Sequence, residues 1–292
     1  MKSLRVATCQ FSVEASVAHN RRSILAQIAQ AAAQQADLAH FSECALSGYA
    51  GVDIPDAGAI DWEELLAATR DVQAAAREHR MWVLLGSTHR LDARTKPHNS
   101  VYLIDPRGQI VDRYDKRFCT GVARPKATMD LCHYTPGDRH VTFRVKGITC
   151  GIGICYDYRF PELYRELKML GVEVLFQSFH NARSTVVADQ KYNIWKTIVP
   201  ATMQCRAAEN HFWVSANNST AQPSRWASFT VQPDGLIAGR LKLHRPGVLL
   251  TEMAWRSDMY DAPGPWRATA MQGKLHSGES TDHPRSRDVT SL

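Results

Sequence analysis

Strand-like and helix-like segments alternate along this chain from one end to the other, and this alternation limits its fold more than any other feature. The strand-like runs are 4–11, 38–41, 81–87, 101–105, 109–114, 141–144, 148–154, 172–177, 212–216, 229–232 and 248–253. The helix-like segments are 20–35, 61–80, 160–170 and 189–209, and Pro200 should kink or divide the last of them. Such a pattern predicts an α/β domain in which helices cover mixed sheets.

The chain of 292 residues shows no linker and no internal repeat, which predicts one domain over residues 1–257. Residues 117–137 form a long irregular stretch, and loops of this length are usually functional or disordered. Residues 258–292 are rich in Pro, Gly, Ser and charged residues and lack periodicity. We expect this C-terminal extension to be an arm or a disordered tail.

Composition limits the environment and the partners of the protein. Hydrophobic residues make up 44% and charged residues 22%, which is ordinary for a soluble globular protein. The formal charge of +6 is spread along the chain without interleaved aromatic residues, so no nucleic-acid partner is expected. The seven cysteines are odd in number and form no CxxC pair, and no segment fits a signal peptide or a membrane span. These features predict a cytoplasmic protein with reduced thiols and no membrane partner.

Cys155 follows the apolar run 148–154, and a helix that begins near Pro161 comes shortly after it. This order predicts a buried strand, a tight turn and a helix, with Cys155 at the corner. The free N–H groups and partial positive charge of a helix N-terminus lower the pKa of a nearby thiol. The neighbouring N–H of Tyr156 is a candidate donor to an oxyanion. The corner therefore predicts Cys155 as a nucleophile in covalent catalysis.

Two further candidates, Glu43 and Lys116, stand at the ends of strand-like runs. A thiol that attacks an amide needs a base for its proton, a donor for the oxyanion and an acid for the leaving amine. A partly desolvated carboxylate such as Glu43 suits the base, and an ammonium such as Lys116 favours the thiolate and the oxyanion. Each residue alone also fits an ordinary role, Glu43 as a helix cap or salt-bridge partner and Lys116 as a solvated charge.

None of the twelve histidines lies at a strand end in an obviously catalytic sequence. His40 falls inside a buried run and is interpreted as a core histidine. His180 follows the strand-like run 172–177 and is a candidate pocket residue. A papain-like Cys–His enzyme remains an alternative, in which a histidine such as His180 is essential and Lys116 is not.

Taken together and in order, three phrases resemble the nitrilase or carbon–nitrogen hydrolase superfamily, whose mark is a Glu-Lys-Cys triad. The phrases are Phe41-Ser42-Glu43 with Ser47-Gly48-Tyr49, then Tyr114-Asp115-Lys116, and then Gly153-Ile154-Cys155-Tyr156-Asp157 with Arg159-Phe160-Pro161-Glu162. The resemblance covers roughly residues 4–255, and the cysteine phrase is its most specific part.

The resemblance implies that Glu43, Lys116 and Cys155 are the catalytic residues. It also implies an α/β fold with a four-layer αββα sandwich of two mixed β-sheets. Pairing into homodimers or higher homo-oligomers is implied through helices near the active site, one of which begins within residues 157–162. The implied reaction needs no metal or organic cofactor. It cleaves a small linear amide to an acid and ammonia through a thioester on the cysteine.

Members of the superfamily commonly carry a second glutamate in the loop before a Pro-Gly phrase. Here that phrase ends at Pro136-Gly137, and the matching position holds Asp130, which is one methylene shorter. Two roles stay open for Asp130: it braces Lys116 or a substrate amide, or it is an ordinary loop acid.

The substrate class is less constrained. Tyr156-Asp157 resembles the amidase and carbamoylase branches, and Arg159 holds a position at which some carbamoylases bind a substrate carboxylate. A salt bridge of Arg159 with Glu162 or with a partner subunit is an equal alternative. The candidate substrate-binding residues are Tyr49, Arg159, His180 and Asn181. The alternatives to an amidase are an N-carbamoyl amine or amino-acid amidohydrolase, a nitrile hydrolase and a non-catalytic binding protein on the same fold.

Overall fold

The computed structural model describes residues 2–183 and 194–290. Within these residues, two six-stranded sheets pack face to face and helices cover both outer faces. The layers therefore run α, β, β, α. The predicted four-layer sandwich with two mixed sheets is confirmed.

The strands follow the predicted order closely. Their bounds are β1 (Ser3–Gln10), β2 (Leu38–His40), β3 (Trp82–His89), β4 (His98–Ile104), β5 (Ile110–Asp115), β6 (Thr142–Val145), β7 (Ile148–Ile154), β8 (Val174–Ser178), β9 (Trp213–Asn217), β10 (Phe229–Val231), β11 (Ile237–Arg240) and β12 (Gly247–Ala254). The first sheet has the order β12-β1-β2-β3-β4-β5 and the second has the order β11-β10-β9-β8-β7-β6. Each sheet has three central parallel strands, β1–β3 and β7–β9, flanked by antiparallel ones.

The helices are α1 (Val17–Ala33), α2 (Trp62–His79), α3 (Asp130–His133), α4 (Pro161–Met169), α5 (Ile194–Asn210) and α6 (Gly264–Met271). The α2 helix begins at the predicted N-cap Asp61, whose carboxylate accepts the N–H groups of Glu63 and Glu64 at 3.0 Å. None of the helices in the described ranges is both long and apolar enough to cross a bilayer.

Three apolar clusters hold the layers together, because each sheet face buries side chains against the next layer. Helices α1 and α2 pack on the first sheet, where Ile24, Ile28 and Val72 are fully buried. The inner faces of the two sheets meet around residues such as Val6 and Phe176. Helices α4 and α5 cover the second sheet in the same way.

A row of polar side chains crosses between the sheets within this apolar interior. The hydroxyls of Thr8 and Ser215 lie 2.7 Å apart, and His40 contacts Ser215 at 2.8 Å and Ser178 at 3.0 Å. His40 is fully buried, as predicted for a core histidine, and burial lowers its pKa to about 3. The row joins the carboxyl-terminal halves of β1, β2, β8 and β9, which lead into the functional loops.

The structure differs from the sequence prediction at one strand and refines it at two other segments. Strand β11 was not predicted, because its four residues include Gly239 and alternate with exposed positions at a sheet edge. The α5 helix continues through Pro200 undivided, with Val199 and Pro200 buried on the second sheet, while residues 189–193 of the predicted helix lie outside the described residues. In the C-terminal extension, α6 forms without a buried residue, and Arg267 fastens it to the carbonyl of Glu209 at 3.0 Å.

Because His40 stays neutral in the fold, its protonation favours the unfolded chain, in which a histidine titrates near pH 6.5. The unfolded state then binds more protons, so stability is lost as the pH falls from about 6.5 toward 3. Between pH 7 and 5 we expect the unfolding free energy of the wild type to drop by about 2 kcal/mol more than that of His40→Gln. Urea unfolding at both pH values measures this difference, and equal pH slopes would contradict it.

Candidate active site

Glu43, Lys116 and Cys155 come together at one end of the sandwich. Glu43 follows β2, Lys116 follows β5 and Cys155 follows β7. Glu43 is completely buried, Lys116 is 1% exposed and Cys155 is half-buried. Charged side chains so deep in a protein require partners, and the contacts below supply them.

Cys155 stands on a strained corner. Its φ of +35° lies in the left-handed region, which a residue with a Cβ seldom adopts and which is often found at functional sites. It opens a 3-10 helix, Cys155–Arg159, and α4 then begins at Pro161. The Asp157 carboxylate accepts the N–H of Ile154 at 2.9 Å, and the Gln177 amide donates to the carbonyl of Cys155 at 3.3 Å. The predicted strand–turn–helix corner is therefore present.

The carboxylate of Glu43 is surrounded by donors. Its Oε1 accepts hydrogen bonds from Lys116 Nζ and Asn99 Nδ2, both at 2.8 Å, and its Oε2 accepts the backbone N–H of His180 at 2.8 Å. A carboxylate offers about four lone-pair positions. Among the described residues, these N–H donors occupy three of them. Cys155 lies close enough for the negative charge of Glu43 to raise the pKa of its thiol. A buried carboxylate beside a thiol is a candidate base for the thiol proton.

Lys116 lies between two carboxylates. Its Nζ is 2.8 Å from Glu43 Oε1 and 2.7 Å from Asp130 Oδ2, and the Tyr49 hydroxyl is 3.3 Å away. Burial disfavours the ammonium, but the two carboxylates and Tyr49 outweigh burial and raise the pKa of Lys116 well above its usual value. The lysine therefore remains a fixed positive charge at neutral pH.

Asp130 contacts Lys116 rather than solvent. Its Oδ2 accepts Lys116 Nζ and the N–H of Thr120 at 3.0 Å, and its Oδ1 accepts the Tyr49 hydroxyl at 2.5 Å. Burial opposes its ionisation, yet Lys116 and these donors lower the pKa of Asp130 below its usual value. Of the two roles left open by the sequence, the contacts match a brace for Lys116.

The expected lowering of the Cys155 pKa is wrong. Burial raises the pKa of Cys155 well above its usual value, and the negative charge of Glu43 adds to the effect more than Lys116 offsets it. The α-helix whose N-terminus was expected to favour the thiolate begins at Pro161, beyond the 3-10 turn. Cys155 is therefore a neutral thiol, which can react as a nucleophile only after a base takes its proton.

The other predicted site residues occupy different positions. Tyr49 is buried beside Lys116, and Tyr156 packs its ring edge-on against Phe160. Arg159 is exposed, with its guanidinium 4.7 Å from the centre of the Tyr158 ring. Among the described residues, Arg159 forms no ion pair with Glu162. The salt bridge within the subunit that was considered as an alternative role for Arg159 is therefore absent.

His180 and Asn181 follow β8, close behind the glutamate. The side chain of His180 is fully buried, and its Nε2 lies 2.8 Å from Asp53 Oδ2. Burial favours the neutral ring, but the carboxylates of Asp53 and Glu43 raise the pKa of His180 above its usual value. Asn181 accepts the indole N–H of Trp226 at 3.2 Å. The structure therefore places His180 beside Glu43 and joins Asn181 to the surrounding loops.

Sequence reasoning missed three residues that support the site. Asn99, inside β4, donates to Glu43, and Asp53 pairs with His180. Asp157 is fully buried and accepts the Tyr114 hydroxyl at 2.8 Å and the N–H of Phe118 at 2.9 Å, besides that of Ile154. Burial raises the pKa of Asp157 despite these donors. Its position two residues after the cysteine was a signal, whereas Asn99 and Asp53 carry no local mark.

The opening beside α3 is separate from this cluster. A hollow of about 290 Å³ is lined by residues 92–97, Trp62 and His133. Glu43, Lys116 and Cys155 do not line this hollow. No group of three or more His, Cys, Asp or Glu side chains in the described ranges is arranged to hold a metal ion.

Comparison with known proteins identifies the family. The family model for carbon–nitrogen hydrolases matches residues 5–257. This match, on an αββα fold, defines the protein as a hydrolase of carbon–nitrogen bonds. The chain belongs to the carbon–nitrogen hydrolase family, and the resemblance seen in its sequence is confirmed.

The relatives of this chain include several amidases. The omega-amidase NIT2 of Mus musculus is 27% identical over 228 residues, which are 77% of this chain and 76% of the relative. The 2-oxoglutaramate amidase of Bacillus subtilis (strain 168) is 28% identical over 69% of both chains. An (R)-stereoselective amidase of Pseudomonas sp is 28% identical over 94% of this chain and 93% of the relative.

A solved structure shares the fold. It is a variant of the amidase from Nesterenkonia sp. AN1 with the acetamide moiety of fluoroacetamide covalently added at the active-site cysteine. It is 21% identical and has a TM-score of 0.74, covering 93% of this chain and 97% of that chain. At 21% sequence identity, this structural similarity is evidence for a shared fold and for nothing more specific.

Replacing Lys116 tests the charge balance of the site without reference to activity. Lys116→Met leaves the buried carboxylates of Glu43 and Asp130 without their cation, so we expect a loss of about 3–5 kcal/mol in unfolding free energy. Lys146→Met is the matched control, because Lys146 is 56% exposed in its pair with Asp37 and should cost less than about 1 kcal/mol. Equal losses in urea unfolding would refute a buried charge cluster centred on Lys116.

Proposed function

We propose that the protein is a thiol amidase that hydrolyses a small linear amide to an acid and ammonia through a thioester on Cys155. The observation that carries this proposal is the position of Cys155 beside Glu43, a buried carboxylate that Lys116, Asn99 and the N–H of His180 hold in place and whose charge raises the pKa of the thiol. Its family and its amidase relatives support the same reaction.

In the first half of the reaction, Glu43 takes the thiol proton while the sulfur attacks the amide carbon. The carbonyl oxygen becomes an oxyanion, which the ammonium of Lys116 and the N–H of Tyr156 stabilise in this scheme. The protonated Glu43 then gives its proton to the amide nitrogen, the C–N bond breaks and ammonia leaves. The acyl group remains on Cys155 as a thioester.

In the second half, Glu43 takes a proton from a water molecule, and the resulting hydroxide attacks the thioester. The carbon–sulfur bond of the tetrahedral intermediate breaks, the acid is released and the thiolate recovers the proton from Glu43. One water is consumed for each amide. The raised pKa of Cys155 fits this scheme, because the thiol gives up its proton during attack rather than before it.

Arg159 favours substrates that carry a carboxylate. It is exposed on the same 3-10 turn as Cys155, four positions after it. Its guanidinium contacts the Tyr158 ring, and it has no acidic partner within the described part of the chain. Arginine binds carboxylates through paired hydrogen bonds. A linear amide with a carboxylate at its far end is therefore the preferred class, and the 2-oxoglutaramate amidase among the relatives supports it. An N-carbamoyl amino acid satisfies the same contact and is the second candidate.

We further propose that Tyr49 walls the amide end of the pocket, and that His180 and Asn181 shape it from behind through the contacts of their loop. We also propose that the protein is cytoplasmic and that it forms a homodimer or a higher homo-oligomer. The helix that follows the 3-10 turn of Cys155 is the expected contact between subunits.

The substrate class is tested with a panel of linear amides, ω-amides with a carboxylate, N-carbamoyl amino acids and simple nitriles. We expect ammonia release to be fastest from ω-amides, and Arg159→Gln to raise KM for them by about 10-fold with little effect on uncharged amides. A preference for N-carbamoyl compounds or nitriles would assign the protein to one of those alternatives. Silence across the panel would contradict the proposed function.

The nucleophile is tested by Cys155→Ala. We expect this variant to lose at least about 1,000-fold of the activity while keeping its melting temperature, because the thioester can no longer form. The matched control is Cys132→Ala, which removes an exposed thiol outside the cluster and should leave the rate unchanged. Mass spectrometry of the wild type quenched during turnover should show the acyl group on Cys155. Near-normal activity in Cys155→Ala would refute the scheme.

A further inference from the structure

His180 is a buried, ionisable residue that the proposed mechanism does not use as an acid or base. Its ring has no solvent exposure and packs against the Tyr49 ring, with 5.3 Å between the ring centres. Its ion pair with Asp53 is likewise fully buried, with 2.8 Å between Nε2 and Oδ2. A buried ion pair is costly to desolvate, so its place beside the catalytic base calls for a physical reason.

The carboxylate of Asp53 has two further contacts, one a hydrogen bond and one a contact between charges. The backbone N–H of Tyr49 donates to its Oδ2 at 3.0 Å, and Arg183 Nε lies 3.1 Å from its Oδ1. Arg183 also pairs with Glu14, whose Oε2 is 2.5 Å from its guanidinium. A chain of alternating charges thus runs inward from the partly exposed Glu14 through Arg183 and Asp53 to His180. It joins three separate loops of the fold.

The inner end of this chain reaches Glu43 through the backbone. The N–H of His180 donates to Glu43 Oε2 at 2.8 Å, and the N–H of Glu43 donates to the carbonyl of Phe179 at 3.3 Å. The segments that carry Glu43 and His180 are therefore hydrogen-bonded to each other. The contacts of the His180 ring fix the position of its own segment. If the ring loses its anchor, the N–H that orients Oε2 is free to move.

We propose that His180 is a positioning residue, whose ion pair with Asp53 holds its own backbone N–H against Glu43 and so aims the base at the Cys155 thiol. This inference rests on the proposed role of Glu43 as the base. It gives the histidine a function unlike that in a Cys–His enzyme, since the ring contacts Asp53 and never the thiol proton. Small errors in the placement of a catalytic group are expensive in rate, at about 100-fold for about 1 Å.

The test uses His180→Gln and Asp53→Asn, with His211→Gln as the matched control. His211 pairs with Asp261 at 3.7 Å near the C-terminal extension, so the control removes a histidine from another His–Asp pair. We expect both site variants to lower kcat by about 10- to 100-fold and to leave KM within about twofold. The control should match the wild type in both constants. If His180→Gln fails to fold, Asp53→Asn decides the question, because it keeps the shape of the side chain.

A second measurement does not depend on any amide being a substrate. Iodoacetamide alkylates the thiol, forming a thioether and releasing iodide, and Glu43 must accept the proton. The rate is read at Cys155 by peptide mass spectrometry, because Cys132 and Cys205 are also exposed. The decrease in alkylation rate caused by Glu43→Gln measures the full contribution of the base. We expect His180→Gln and Asp53→Asn to cause most of that decrease at pH 7.

The possible outcomes distinguish the proposed amidase function from the positioning role of His180. If the wild type hydrolyses no amide but the site variants alkylate as slowly as Glu43→Gln, the proposed function fails and the positioning role stands. If a folded site variant keeps kcat and the alkylation rate within about twofold of the wild type, the positioning role is refuted. A drop in the His211→Gln control equal to that in the site variants refutes it as well, because the effect then follows from a general loss of stability.

Discussion

The ammonium of Lys116, shared between Glu43 and Asp130, is the interaction on which the candidate site depends. One cation and two carboxylates leave this buried cluster with a net charge of −1, and bonds from Asn99, Tyr49 and the loops satisfy the remaining oxygens. Burial, to which the negative charge of Glu43 adds, explains why the neighbouring thiol keeps its proton. Although burial disfavours the ammonium of Lys116, the carboxylates and Tyr49 raise its pKa and keep it charged.

The fold brings these groups together because the carboxyl ends of β2, β5 and β7 lie at the same end of the sandwich. Glu43 and Lys116 come from the first sheet, and Cys155 comes from the second. Asp157 ties the two together, since its carboxylate bonds to the N–H of Phe118 after Lys116 and to that of Ile154 before Cys155. Gly86 also fixes the position of Glu43, because it lets β3 approach the segment that carries Glu43 closely. A Cβ at this position would lie 1.9 Å from the carbonyl of Ser42 and displace that segment. The geometry of the site is thus a property of the packed sheets.

Local patterns were sufficient to predict the described strands other than β11, the helices α1, α2, α4 and α5, and the order of the three central residues, because each of these leaves a mark in neighbouring sequence. Asn99 and Asp53 leave none, since their importance comes from contacts with residues distant in the chain. The sign of the Cys155 pKa shift was misjudged for the same reason: the local turn suggested a helix N-terminus, while the dominant effects are burial and the distant Glu43. Strand β11 was missed because a strand at the edge of a sheet buries few side chains, so its sequence contains few apolar residues.

The protonated state of Cys155 has a consequence for durability. Oxidants such as peroxide react with thiolates far faster than with thiols, and the sulfenic acid they form is the first step toward irreversible damage. In the proposed mechanism, Cys155 becomes a thiolate only while a substrate amide is in place, so its reactive form meets the substrate and not an oxidant from the solution. Under this mechanism, burial and the charge of Glu43, which keep the thiol protonated, also protect it from oxidation between turnovers.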